Sequence, residues 1–307
     1  MLLNIKFLDC EVNGIRYWVF SFRAPKPNTE YRIPIILELV SFTFVTFKQK
    51  KNIMSVNVIS KEHQAYGAFN GGEIIENKPI GFPQDGGEGK PYSNLFYWAY
   101  AEAKVDSTIG LHPHQGFEIM SFVLNGSIRH YDTKLKEWRS LSAGDAQIIR
   151  AGNGISHEEH MEKDAVMFQI WIDPNLDKSL QQPASYDDHK SKDFPVSSFD
   201  NYQVKTYSGE GAPLKTDTPG MVIKEIFFER GFEQALSLDK IYSIYVRKGS
   251  LSVNGSPAKK DDFVVIKESE KMVVESDEPG TLFIIESLLD PGYKTYVEIM
   301  QERMKGK

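Results

Sequence analysis

Two short histidine-containing runs carry the residue types in this sequence that are best suited to chemistry. The first run, GLHPHQGFE, covers residues 110–118, and the second, AGNGISHEE, covers residues 151–159. Because side chains two positions apart on a β-strand lie on the same face, His112 and His114 are predicted to point the same way. His157 is predicted to share its face with the carboxylate two positions after it. Three neutral imidazoles and one carboxylate form a ligand set suited to a divalent ion of Fe, Mn, Ni, Cu or Zn.

The carboxylate of this ligand set has two candidates. Glu159 lies two positions after the histidine of the second run, and Glu118 shares strand parity with His114 of the first run. Either glutamate can be the ligand, with the other as a hydrogen-bonding partner or a base. The same parity predicts that Met120, Phe122 and Leu124 lie beside Glu118 and form an apolar wall of the site. The alternative for these three residues is ordinary core packing, which is preferred for Leu124.

The other four histidines are predicted to lie outside this site. His130 precedes Asp132 at strand spacing, and a structural hydrogen bond between them is the expected role. His160 has the opposite parity to the histidine of the second run and is predicted to be exposed. His63 and His189 stand alone in polar surroundings and are assigned no role.

Short β-type segments surround the histidine runs. Between residues 91 and 172 such segments alternate with Gly and Asp turns, and few windows show a helical period. The clearest segments are 94–100, 118–124, 146–150 and 165–172. Several short strands at this spacing predict a sandwich or a barrel as the scaffold that holds the histidines.

A second β-rich region, residues 201–290, faintly repeats the first. The segment FVLNGS at 122–127 is echoed by YVRKGS at 245–250. A repeat of this length predicts two copies of one domain. Because the last histidine in the sequence is His189, the second copy is predicted to lack a histidine-based metal site. Residues 293–304 then carry apolar side chains at helical spacing, which predicts an amphipathic helix that packs on the body.

The first 53 residues differ from the rest of the sequence. The apolar stretch 33–47 is too short for a transmembrane helix and contains Glu38. We expect Met54, which opens a more conventional globular sequence, to be the true initiator and residues 1–53 to be an extension outside the fold. The alternative is an extra β-hairpin packed on the body. N-terminal sequencing of the protein from its native host tests this, since a mature chain that begins at Met1 would contradict it.

Composition and charge restrict the function classes. The 307 residues are 41% apolar and 25% charged, with a formal net charge of −6. This charge argues against nonspecific nucleic-acid binding, which needs a basic surface. The single cysteine, Cys10, excludes an internal disulfide and a thiolate metal cluster and is compatible with a reducing compartment. We expect a cytoplasmic monomer that binds neither nucleic acid nor membranes.

These motifs resemble those of the pirin family of bicupins. The family pattern HPHxGFE is present at 112–118, its turn and HxD pattern at 126–132, and its AGxGIxHxE pattern at 151–159. The resemblance covers roughly residues 60–307 and is strongest over 110–172. It implies an all-β fold of two tandem cupin barrels, each a double-stranded β-helix of the jelly-roll type, followed by a short C-terminal helix.

The resemblance also implies a division of the chain. Residues 54–180 would form the metal-binding cupin and residues 181–200 a linker. Residues 201–307 would form a second cupin that lacks metal ligands and ends in the C-terminal helix. Residues 1–53 find no counterpart in the family, which is consistent with a start at Met54.

A mononuclear iron centre in the first cupin is the cofactor that the resemblance implies, with Fe(II) preferred over Mn, Ni, Cu or Zn. The ligands carried over by position are His112, His114, His157 and Glu159. Glu118 would then be a second partner close to the metal. Gln115 departs from the family, which usually has Arg there, so substrate preference transfers less safely than metal binding.

Some bacterial pirins are similar to quercetin 2,3-dioxygenases, and this similarity implies a reaction. A flavonol 3-hydroxyl group would bind the metal, which lowers its pKa as it lowers that of bound water. Glu159, or Glu118 through a water molecule, would accept the proton. The flavonolate would react with O₂, and its heterocycle would open with loss of carbon monoxide. The implied partners are a flavonol-like aromatic molecule and O₂.

Other pirins resemble non-catalytic regulators, which gives the alternative function. In these proteins the oxidation state of the iron changes a surface that binds a protein partner. The acidic charge of residues 54–307 fits a protein partner better than DNA. A storage-like cupin that binds metal without turnover is a third possibility.

Overall fold

The computed structural model describes residues 5–12, 15–22 and 55–305. Strands β1 (Ile5–Val12) and β2 (Ile15–Phe22) form an antiparallel hairpin that belongs to a compact unit of its own. For residues 1–53 the sequence analysis offered two interpretations, an extension outside the fold or an extra β-hairpin. The secondary structure of the described residues of this segment is that of the second interpretation. Met54 and the apolar stretch 33–47 lie outside the described residues, and the start at Met54 stays a prediction.

Residues 55–305 contain two β-barrels, called here the first and the second barrel. The strands from residue 55 to residue 189 are β3 (Ser55–Ile59), β4 (Ala65–Phe69), β5 (Ile74–Ile80), β6 (Leu95–Ala103), β7 (Ser107–His114), β8 (Glu118–Asn125), β9 (Ser127–Asp132), β10 (Trp138–Ser142), β11 (Ala146–Arg150), β12 (Ile155–Met161), β13 (Val166–Ile172) and β14 (Ser185–His189). Those that follow are β15 (Val196–Ser198), β16 (Tyr202–Ser208), β17 (Val222–Phe228), β18 (Phe232–Ala235), β19 (Lys240–Lys248), β20 (Ser250–Val253), β21 (Ser256–Lys259), β22 (Phe263–Lys267), β23 (Lys271–Glu275) and β24 (Gly280–Leu288). The α-helices in this segment are α1 (Leu176–Ser179) and α2 (Tyr296–Lys305).

The two barrels share one strand arrangement. The first has a four-stranded sheet in the order β10-β9-β12-β7 and a seven-stranded sheet in the order β14-β11-β8-β13-β6-β5-β4. The second has the orders β21-β20-β23-β18 and β3-β22-β19-β24-β17-β16-β15. Each strand of one barrel therefore has an equivalent in the other, for example β8 and β19, or β12 and β23. This arrangement confirms the predicted fold of two tandem cupin barrels.

Strands at the sheet edges do not follow the predicted division of the chain. β3 precedes the first barrel but pairs with β22 of the second, with Ser55 opposite Lys267. The predicted linker, 181–200, contains β14, which pairs with β11, and β15, which pairs with β16. β14 has the sequence SYDDH, and its residues are half-buried or exposed, so it lacks the apolar alternation that marks a strand in a sequence. The segment predicted to be a linker therefore contributes one edge strand to each barrel.

The main hydrophobic core lies between the two seven-stranded sheets. The side chains of Met120 and Phe122 on β8 pack there against residues of the second barrel, and the rings of Phe122 and Phe283 lie 5.0 Å apart. Trp98 and Tyr245, one from each barrel, are fully buried in the same core. Burial of aromatic residues stabilises this contact through the apolar area removed from water.

Helix α2 ends the described chain and packs on the first barrel through its first turn, as predicted. The ring of Tyr296 lies 5.5 Å from that of Phe96, while Met304 at the other end is 68% exposed. The backbone N–H of Tyr296 also donates to the buried carboxylate of Asp173, directly after β13. Among the described residues, no helix is both long and apolar enough to cross a membrane.

Candidate metal centre

The structure brings the three predicted histidines together on two paired strands. β7 and β12 run antiparallel, with His157 opposite His112 and Ile155 opposite His114. The ring centroids of His157 lie 4.4 Å from those of His112 and 4.9 Å from those of His114. One ring nitrogen of each histidine lies within 4.8 Å of the others, which is a separation that one metal ion can bridge.

Two glycine turns lie close together next to the strands that carry these histidines. Gly116, after β7, and Gly152, before β12, both have positive φ angles, and the N–H of Gly116 donates to the carbonyl of Gly152 at 2.9 Å. A Cβ atom at Gly152 would lie 2.5 Å from the carbonyl oxygen of Gln182. Glycine is therefore required there by both conformation and space.

The ring nitrogens of the cluster are available to a metal. Nδ1 of His112 lies 2.7 Å from the carbonyl of Gly110, to which it donates, so its Nε2 carries the lone pair. Nε2 of His114 and both ring nitrogens of His157 are buried and have no hydrogen-bond partner among the described residues. Burial, with the neighbouring imidazoles, lowers the pKa of His114 to about 3 and that of His157 well below its usual value. The imidazoles of His114 and His157 are thus neutral, as metal binding requires.

Glu159 lies inside the first barrel, on the same strand as His157. β12 alternates between buried and half-buried residues, which puts His157 and Glu159 on the same buried face. The carboxylate accepts hydrogen bonds from Ser121 Oγ at 2.9 Å, from Gln147 Nε2 at 3.1 Å and from Gln169 Nε2. The sequence reasoning missed these three donors, although a glutamine within an apolar strand such as β11 was an available signal.

Glu159 does not belong to the three-histidine group within 4.8 Å, but to a second group that it forms with His130 and His157. Both groups share His157. The role of Glu159 as a metal ligand therefore stays a prediction.

His130 makes the predicted hydrogen bond with Asp132, at 2.8 Å between Nε2 and Oδ2. Both residues are fully buried, and the other oxygen of Asp132 accepts the backbone N–H groups of Lys134 and Leu135. The sequence reasoning missed that His130 lies beside the three-histidine group, with its ring centroid 5.6 Å from that of His157.

Glu118 lies elsewhere, which corrects the prediction that it is close to the metal. Its carboxylate accepts hydrogen bonds from the N–H of Asp217 at 2.7 Å and from the hydroxyl of Thr218 at 2.6 Å, both in the second barrel. Burial raises its pKa, while these hydrogen bonds lower it. The prediction assumed that the alternation of side chains continues from His114 to Glu118. It failed because β7 ends at His114, and a turn at Gly116 separates it from β8. Met120, with the same parity as Glu118, accordingly faces the second barrel and is not a wall of the metal site.

The actual walls of the site are a tryptophan and the residues of an open cavity. The ring of Trp171 packs edge-on against that of His114, with centroids 4.7 Å apart. A cavity of about 470 Å³ opens at the cluster and is lined by Pro113, His114, Gln115, Thr133, Gly154, Ile155 and Ser156. Of these residues, Gln115 donates to the carbonyl of Asn153 at 3.1 Å.

Comparison with known proteins gives one consistent result. The Pirin family model matches residues 88–172. A pirin-like protein of Caulobacter vibrioides is 30% identical over 202 residues, which cover 63% of this chain and 83% of that protein. A protein of Pseudomonas aeruginosa, provisionally named as a quercetin 2,3-dioxygenase, is 28% identical over 208 residues, 65% of this chain and 85% of that protein. The crystal structure of the bacterial pirin YhhW from Escherichia coli in complex with nickel(II) has a TM-score of 0.65 at 18% identity, and covers 76% of this chain and 99% of that one.

Proposed function

Because this chain belongs to the pirin family, we propose that its first barrel holds one divalent metal ion, Fe(II) in the cell, and cleaves a quercetin-like flavonol with O₂. The observation that carries the proposal is the group of three clustered histidines, of which His114 lines an open cavity. The provisional name of the Pseudomonas aeruginosa relative supports the choice of substrate class.

The donor set fits a metal of the iron to zinc series. The unpartnered nitrogens of His114 and His157 are buried, and such groups cost free energy unless something binds them. His112, His114 and His157 would hold the ion, with Glu159 as the fourth ligand. When bound, such an ion supplies Lewis-acid activation of a hydroxyl group.

The residues around the cavity would orient and deprotonate the substrate. Pro113 and Ile155 offer apolar surface to a flat aromatic molecule, and a volume of about 470 Å³ lies within the usual range for small ligands. One oxygen of Glu159 accepts two hydrogen bonds and the other accepts one. The second oxygen therefore keeps the capacity to bind the ion or to accept the hydroxyl proton. Glu118 is bound to the second barrel, so we assign the base to Glu159 alone.

A redox-responsive regulator of a protein partner is the second candidate. The side chain of Gln115 favours it, because this neutral residue lines the cavity at the position where the family usually has Arg, and its amide is bound to the carbonyl of Asn153.

Loss of the quercetin absorption band under air tests the proposal with the Fe(II)-loaded protein. We expect the band to decay with release of carbon monoxide, and His114→Ala to slow the decay by more than about 100-fold through loss of a ligand. The matched control is His160→Ala, since His160 lies on the outer face of β12 and its ring contacts Thr108 of the neighbouring strand β7. One equivalent of bound metal without decay of quercetin would contradict the dioxygenase and favour the regulator.

A further inference from the structure

Four buried imidazole nitrogens near the candidate centre have no hydrogen-bond partner among the described residues. They are Nε2 of His114, Nδ1 of His130, and both ring nitrogens of His157. Buried polar atoms are nearly always paired in folded proteins, so each of these four requires an explanation.

A single metal ion explains two of the four atoms. An ion held by His112, His114 and His157 takes Nε2 of His114 and one nitrogen of His157. The other nitrogen of His157 then carries a proton. Metal-bound histidines almost always donate this second N–H to an acceptor, which fixes the ring orientation and strengthens the ligand.

The fourth atom, Nδ1 of His130, can act as an acceptor, and the ring that carries it lies beside that of His157, with centroids 5.6 Å apart. A ring nitrogen of His130 lies within 4.8 Å of one of His157. Asp132 accepts two backbone N–H groups at Oδ1, and its Oδ2 lies 2.8 Å from Nε2 of His130. A carboxylate there requires the proton of His130 on Nε2, which leaves a lone pair on Nδ1.

The ring of His130 is also held in place by packing. It stacks on the ring of Tyr186 with a centroid distance of 4.5 Å and an interplanar angle of 8°. On β9, His130 is the direct partner of Glu159 on β12. The acceptor atom is therefore preorganised before any metal binds.

We propose that the Asp132–His130 pair positions the metal ligand His157, with Nδ1 of His130 accepting the N–H of the metal-bound imidazole. His130 is a positioning residue that does not contact the metal. One ion and one hydrogen bond then pair all four buried nitrogens. The inference depends on the proposed function only in that the first barrel binds a metal, and it does not depend on flavonol cleavage.

The second group, His130, His157 and Glu159, offers another position for the ion. An ion there would occupy nitrogens of His130 and His157 but leave Nε2 of His114 buried and unpaired. The position among the three clustered histidines, together with the hydrogen bond to His130, leaves none of the four unpaired. The structure therefore favours His130 as an acceptor over His130 as a ligand.

Metal affinity, measured with Ni(II) against a competing chelator, tests the proposal in the full-length protein. Asp132→Asn keeps an oxygen for the backbone N–H groups but offers an amide N–H to Nε2, which shifts the proton of His130 to Nδ1. We expect this variant and His130→Phe, which keeps a ring against Tyr186, to bind Ni(II) about 10- to 100-fold more weakly. His160→Asn on the outer face of β12 should bind as the unaltered protein does.

A second readout observes the hydrogen bond itself. In ¹⁵N-histidine NMR spectra of the Zn(II)-loaded protein, we expect one His157 N–H proton to be protected from exchange with water. This signal should be lost in His130→Phe and kept in His160→Asn.

Three outcomes would overturn the proposal. The first is unchanged Ni(II) affinity in both Asp132→Asn and His130→Phe. The second is binding that survives His114→Ala but is abolished by His130→Phe, which would make His130 a ligand. The third is no Ni(II) binding by the unaltered protein, which would also refute the proposed function. Tight binding with the expected variant effects but no quercetin cleavage would refute the flavonol reaction alone and support the role of His130.

Discussion

The two barrels have the same strand order, but the interior of the first contains buried polar residues and that of the second is apolar. The first barrel places His157 and Glu159 on the buried face of β12, whereas the equivalent strand β23 places Met272 and Val274 there. The interior of the second barrel is a continuous apolar cluster that extends from Ile226 to Ile284. The cupin scaffold therefore needs no polar centre to be stable, and the buried polar network of the first barrel is maintained for another purpose.

Strand length differs between the barrels at the same place. β7 has eight residues and reaches His114, while its equivalent β18 has four residues, Phe232–Ala235. β18 therefore offers less strand length than β7 on which ligands two positions apart can be placed. The barrel with the candidate metal centre thus differs from the other in both its polar lining and the length of this strand.

Removal of two predicted ligands from the first barrel should have the largest effect on metal content and is the strongest test of the difference between the barrels. The double variant His112→Ala/His157→Ala should contain almost no iron, because the second barrel has no histidine to replace them. Metal analysis after purification with Fe(II) measures this, with His160→Ala as the control that keeps its metal. Undiminished iron would refute the ligand assignment.

A carboxylate introduced into the second barrel tests how far its interior differs. Val274 is 2% exposed within the apolar cluster, so Val274→Glu would bury a charge without donors. We expect the free energy of unfolding to fall by about 3–5 kcal/mol. Urea denaturation measures it, and Val273→Glu on the half-buried side of the same strand should cost much less. Equal effects of the two variants would show that the interior tolerates charge.

The corresponding change in the first barrel should have a smaller effect. Glu159→Gln replaces one of two oxygens that accept hydrogen bonds from Ser121, Gln147 and Gln169 with an amide donor. We expect a loss of about 1–3 kcal/mol in the free energy of unfolding of the metal-free protein. Glu158→Gln, on the half-buried face, serves as the control. A loss no larger than that of the control would mean that the three donors do not depend on the carboxylate.

A pH-dependent effect should be local to the first barrel. β13 is followed by the buried carboxyl group of Asp173, whereas β24 is followed by the exposed Leu289. Burial raises the pKa of Asp173 to about 7, although its hydrogen bond from Tyr296 opposes the shift. Because this pKa exceeds the unfolded value of about 3.9, the folded state binds more protons between the two values. The contribution of protonated Asp173 to the stability of the folded state is therefore complete below about pH 4 and is lost as the pH rises through 7.

Hydrogen exchange in α2 measures this effect. After correction for intrinsic rates, we expect the amides of Tyr296–Lys305 to exchange faster at pH 8 than at pH 6, since Asp173 binds the first turn of the helix. In Asp173→Asn the corrected difference should disappear. A pH dependence that persists in this variant would assign it to another group.

The sequence predicted those parts of the site that depend on spacing within one strand. His112 and His114 share β7, and His157 and Glu159 share β12, so period-two parity placed each pair correctly. Parity failed for Glu118, because a turn at Gly116 separates β7 from β8.

Contacts between distant strands were beyond such reasoning. The approach of His130 to His157 depends on the pairing of β9 with β12, and β14 joins β11 without any apolar pattern of its own. Periodicity reports which face a residue occupies, but pairing between strands depends on the whole chain.

The pairing of β3 with β22 has a consequence for synthesis of the chain. Ser55 leaves the ribosome more than 200 residues before its partner Lys267. At typical elongation rates this interval is on the order of 10–40 s, during which β3 has no partner strand. The first barrel can fold in that time. The second barrel is complete only after β22 has been synthesised and has paired with β3. A fragment that starts at residue 201 would lack that strand and expose the edge of β22 to pairing with other chains.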